Sequence, residues 1–147
     1  MLLMTGETAV QQPPGSPGAG LLAGARECSR AVSVLAHHSA GVGAIAILAA
    51  HAVELALKAF LRQGGWSDDQ LRPMGHNLLD TWSAADEAGL ALGAVPSWVK
   101  ILDRIHHQPF AGRYPTAHGE VATPHPSQLG FHLTELIENV ARTWHAP

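Results

Sequence analysis

The chain has little charge, a single cysteine and no excess of basic residues. Charged residues make up 14% of its 147 positions, against the roughly 25% usual for globular proteins. Part of the surface must therefore be mildly polar or hidden in an oligomer. Lysine and arginine together number 9 against 12 acidic residues, a formal charge of -3. That balance excludes the broad basic footprint required for duplex DNA, although a local phosphate site remains compatible with it. Cys28 has no second cysteine to pair with, so an intrachain disulfide and a thiolate zinc site are both excluded, and a reducing compartment fits. Uninterrupted apolar runs are also lacking. The most apolar stretch, Ala40 to Phe60, carries His51, Glu54 and Lys58, three ionisable groups that are costly inside a bilayer. The expected setting is cytoplasmic, without a membrane partner.

What is present reads as helix. The N-terminal segment, 1–20, has neither the basic start nor the apolar run of a secretory signal, and Gln11 to Gly20 is rich in Pro, Gly and Ser; a disordered tail is expected there. The remaining 21–147 is long enough for one hydrophobic core and too short for two. Leu22, Ala25, Cys28, Val32 and Leu35 recur at helical steps and predict a first helix over Leu21 to His37. A second, from Ala40 to Arg62, is capped by Ser39 and closed by Gly64-Gly65. It is apolar nearly all round, so neighbours must cover it.

Ser67 and Gln70 have capping-box spacing for a short turn that Pro73 stops. A third helix begins near His76, with Leu78, Leu79, Trp82 and Ala85 facing inward, and ends at Gly89 or Gly93. Pro96 suits the first turn of a fourth, whose stripe is Trp98, Ile101, Leu102 and Ile105 and whose end is His106-His107. Gln108 to Pro126 reads as a long loop, a place where function tends to collect. The last helix, Ser127 to Trp144, carries Leu129, Leu133, Leu136, Ile137, Val140 and Trp144 in one stripe. No stretch alternates as an exposed strand would. The expected architecture is an all-α, up-and-down bundle of four to five helices around a central apolar helix.

Four short runs add a resemblance. His51-Ala-Val-Glu54-Leu-Ala-Leu-Lys58-Ala, Gly75-His76-Asn77-Leu78, Ala88-Gly89-Leu90 and Arg113-Tyr114-Pro115, in that order and spacing, resemble the HEPN family of helical domains. The resemblance implies a bundle that forms homodimers and works in prokaryotic toxin–antitoxin or defence systems. It also implies silencing of toxic members by a nucleotidyltransferase-like antitoxin partner. Active members are metal-independent endoribonucleases, with an Arg followed by four to six residues and a His; others lack that motif and serve as modules that bind a protein partner, nucleotide or RNA.

Arg113 and His118, with four residues between them, fit the pattern and become the candidate catalytic pair. A histidine near neutral pH can take the proton from a ribose 2′-hydroxyl or protonate the leaving oxygen. An arginine can stabilise charge building on the phosphate. No metal or cofactor enters that chemistry. Pro115 departs from the family's pattern, because it breaks a continuous helix through the motif. Arg30 and His37, with six residues between them, also fit the pattern, but in or just past the first helix, away from where the family's motif falls.

Around the pair, His51, Glu54, Lys58, Tyr114, His106 and His107 are the candidate substrate, phosphate or interface residues. His51, Glu54, Lys58 and Arg62 line one face of the second helix, with Glu54 placed to pair with Lys58. That face reads either as a polar patch at a dimer cleft or phosphate, or as a solvated stripe. His51 and Glu54 with another histidine could in principle hold a metal, but the chain lacks the repeated Glu-x-x-His pairs of di-iron bundles, and no metal is expected. His37-His38 and His106-His107 fall at helix C-termini, where the dipole favours imidazolium. His76 is expected to cap or pack at a helix entry. Trp82, Trp98 and Trp144 read as core, while Trp66 suits an interface.

Overall fold

A computed structural model describes residues 16–38, 41–107 and 122–144. Among them the protein is all-helical, and its elements follow the expected order. Helix α1 spans Ala19–His37, α2 Val42–Gln63, the single-turn α3 Asp68–Leu71, α4 Leu78–Ala85, α5 Ser97–His106 and α6 Pro126–Trp144. A 3₁₀ turn, Arg72–Met74, precedes α4, and a π-helical turn, Asp86–Leu90, follows it.

Helix α2 is the centre of the bundle and packs against α1, α4, α5 and α6. Its apolar circumference dictates this arrangement. Ile45, Ala46, Ala49, Ala50, Ala52, Val53, Ala56, Leu57, Ala59 and Leu61 are all buried, and no single neighbour could cover so wide an arc. The alanines let neighbouring helices come close, with high helix propensity. By length and composition α2 could cross a membrane, yet here other helices bury most of it.

Helix α1 begins two residues before the expected Leu21, and Ser16 joins the fold. Its hydroxyl donates to Gln63 Oε1 at 2.7 Å and accepts from Trp144 Nε1 at 3.2 Å. The disordered tail expected over 1–20 is therefore not seen at Ser16 to Gly20; the rest of it, 1–15, lies outside the described residues, as does the expected cap Ser39. Gly41 occupies the cap position of α2 instead. The Ser67–Gln70 capping box forms as expected, and Trp66 is half-buried against the core.

Helix α6 buries Leu129, Leu133, Leu136, Ile137 and Val140, as its stripe predicts. Helix α5 differs in an instructive way. Its buried face is Val99, Leu102, Asp103, Ile105 and His106, while Trp98 and Ile101 are only half-buried. The helix is turned so that a carboxylate and an imidazole point inward. Pro96 stands at its N-cap rather than in the first turn.

Candidate functional site

The face of α2 that carries His51, Glu54 and Lys58 is covered at Glu54 and Lys58 and open at His51. Glu54 has a relative exposure of 6%. The solvated-stripe alternative fails at Glu54, because helical spacing shows which residues share a face but not what covers it. Here the cover comes from the segment entering α4 and from the C-terminal end of α5.

Each residue of Gly75-His76-Asn77-Leu78 has a separate task. Gly75 has φ 50° and ψ -125°, a conformation open to glycine and strained for other residues. That turn presents its carbonyl to Lys58 Nζ at 2.7 Å. His76 follows with Nδ1 2.9 Å from Glu54 Oε2. Asn77, not His76, caps α4 by accepting from the Asp80 backbone N–H at 3.0 Å. Leu78 enters the core, and its N–H donates to Asp103 Oδ1 at 2.9 Å.

Asp103 and His106 lie one turn apart on α5, so both reach the same side. Asp103 holds the start of α4, and His106 Nε2 hydrogen-bonds Glu54 Oε2. Lys58 donates to the other carboxylate oxygen, Oε1, at 2.7 Å. An ionised carboxylate only accepts, which places protons on His76 Nδ1 and His106 Nε2. The three donors come from α2, the loop before α4, and α5. Among the described residues no buried side-chain nitrogen or oxygen lacks a hydrogen bond.

Burial works to raise the Glu54 carboxyl. The hydrogen bonds from His106, His76 and Lys58, with the ammonium's charge, outweigh it and hold the group well below the usual carboxylate range. His51 is exposed and stands beside this centre, its ring 6.2 Å from that of His106. Partial burial of its ring lowers the imidazole from 6.5, Glu54 opposes that shift, and His106, His76 and Lys58 add to it. The shift favours the neutral ring, whose unprotonated nitrogen has an electron pair to offer a proton or a cation.

The remaining candidates are placed more simply. Arg62 pairs with the exposed Asp68 rather than joining the centre. Lys58 is engaged by Glu54 and Gly75 and is not free to take up a phosphate. His107 ends α5, its N–H donating to the Asp103 carbonyl at 2.8 Å. Of the histidines expected at helix C-termini, His37 and His38 are exposed, whereas His106 is buried on Glu54. Arg113, Tyr114 and His118 lie outside the described residues. Sequence reasoning passed over Asp103 and gave His76 only a capping or packing role. The spacing Asp103-Arg-Ile-His106, two polar groups on the flank of an apolar stripe, was the available signal.

Comparisons with known proteins add no relative: no protein-family model, no curated protein and no solved structure matches this chain.

Proposed function

We propose that this protein is a HEPN-like module of a prokaryotic toxin–antitoxin or defence system, working as a homodimer and cleaving RNA through Arg113 and His118. The observation carrying this reading is the convergence of two of the resembling runs, His51 to Ala59 and Gly75 to Leu78, on the Glu54 carboxylate. Residues that resemble a family in sequence make one connected centre. In this reading Arg113 stabilises charge on the scissile phosphate and His118 transfers the proton at the ribose 2′-oxygen or the leaving oxygen. The Glu54 centre anchors α5, the helix that precedes Arg113 in the sequence.

A second reading has its own support. The Glu54 centre is internally compensated, which suits a scaffold that binds a partner protein, nucleotide or RNA without cleaving it. Single-stranded RNAs of varied sequence, offered to the purified chain in chelator, separate the two. Cleavage that disappears in both Arg113→Ala and His118→Ala, with helicity unchanged, is the outcome the enzyme requires. An inert parent on a broad panel overturns cleavage and leaves the binding module.

A further inference from the structure

We propose that His51, Glu54 and His106 form a binding site for one divalent transition-metal ion of the zinc class, a role independent of the RNA reading above. Their ligand atoms, one from each residue, all lie within 4.8 Å of one another. A tetrahedral zinc site with ligand bonds of about 2.0–2.2 Å sets its ligand atoms roughly 3.4 Å apart. Glu54 Oε2 and His106 Nε2 are hydrogen-bonded to each other, so they must separate to admit the ion while His51 closes the gap from its side. Being exposed, His51 can close that gap by turning its own side chain.

The donor set suits the ion. Two imidazoles and one carboxylate are a recurrent zinc triad, and they leave a fourth position for water or another ligand. His51 and Glu54 stand three residues apart on α2, which aims both at one point. His106 arrives from α5 and is almost fully buried, so its ring is held by packing before any ion enters. The exposed ring of His51 marks the way in.

The surroundings also support the carboxylate as a ligand. Lys58 occupies Oε1 and His76 donates to Oε2, an arrangement that fixes the carboxylate and leaves it to bind through one oxygen. On binding, the Nε2 of His106 stops donating and gives its electron pair to the ion. The ring changes tautomer as it does so: the proton leaves Nε2 and one is taken up at Nδ1.

The test uses the whole chain, purified without a histidine tag and dialysed against chelator, then titrated with zinc chloride by calorimetry and with cobalt chloride by visible absorption. Saturable binding of about one ion per chain, a tetrahedral cobalt spectrum and a higher melting temperature with zinc are expected. His51→Ala, which changes an exposed side chain and keeps the fold by circular dichroism, should weaken zinc at least about tenfold. His37→Ala, on α1 and outside the cluster, should bind as the parent does. Absence of saturable binding overturns the proposal. So does zinc affinity that His51→Ala leaves untouched, or that His37→Ala lowers equally.

Discussion

Glu54→Gln isolates the charge of the buried carboxylate while keeping its length. The side chain is 8% exposed and accepts from Lys58, His76 and His106. A glutamine has one accepting oxygen and one donating nitrogen. Lysine can only donate, so the amide oxygen must face Lys58, and its NH2 then faces the histidines. Those rings can accept by changing tautomer, which recovers part of the hydrogen bonding. What is not recovered is the counter-charge to a lysine whose side chain is only 14% exposed.

Removing one partner of a buried ion pair costs about 3–5 kcal/mol. Lys58 keeps the Gly75 carbonyl, so Glu54→Gln is expected at about 2–3 kcal/mol, at or just below the lower end of that range. For a chain of this size the melting temperature should fall by roughly 6–12 °C. Glu54→Leu, which offers no acceptor at all, should cost more, about 4–5 kcal/mol. Urea unfolding followed by circular dichroism, with chelator present so that no ion contributes, measures both. As a control, Arg72→Ala breaks the exposed pair with Asp69 and should leave the midpoint unchanged. A Glu54→Gln midpoint within about 0.5 kcal/mol of the parent would refute the compensated buried charge.

Three other perturbations probe the supports around this centre. Asp103→Ala removes the acceptor for the Leu78 N–H and should cost about 1–3 kcal/mol, read in the same urea assay. Gly18→Ala places a methyl inside van der Waals contact of the Ala59 carbonyl and the Trp144 ring; overpacking of about 1–3 kcal/mol is expected, and a variant as stable as the parent would contradict the close approach of α1, α2 and α6. Acid should also weaken the parent. Glu54 is held below its ordinary 4.5, so its contribution is full above that pH and lost as pH falls below it. Lys58 and His51 of α2, His76 of the loop and His106 of α5 face it, and acid unfolding in chelator should be shallower in Glu54→Gln than in the parent.

The bundle was legible because periodicity reports burial directly where a helix has one apolar side. The Leu129 to Val140 stripe and the Ser67–Gln70 box needed no tertiary information. The Glu54 centre was only half legible. His51, Glu54 and Lys58 could be put on one face from spacing alone, and Glu54 paired with Lys58. That the face is covered could not be read, because its cover comes from Gly75, His76 and His106, 17 residues from Lys58 and 22 and 52 from Glu54. The turn of α5 was missed for a related reason: Trp98 and Ile101 outweigh Val99 in size, although Asp103 and His106 set the helix's rotation.

Those polar groups answer a problem that the composition of α2 creates. A helix lined with alanines offers neighbours a smooth surface, on which several registers bury nearly equal area. Sliding α5 by one turn would move its side chains about 5.4 Å along α2 with little loss of apolar contact. It would, however, pull Asp103 from the Leu78 N–H and His106 from Glu54, stranding a backbone donor and removing one of the carboxylate's three hydrogen bonds. An unmatched buried group of that kind costs about 1–3 kcal/mol. The buried charge is therefore a weak source of net stability and a strong discriminator between packings, which is the role expected of the few ionised groups a small apolar core retains.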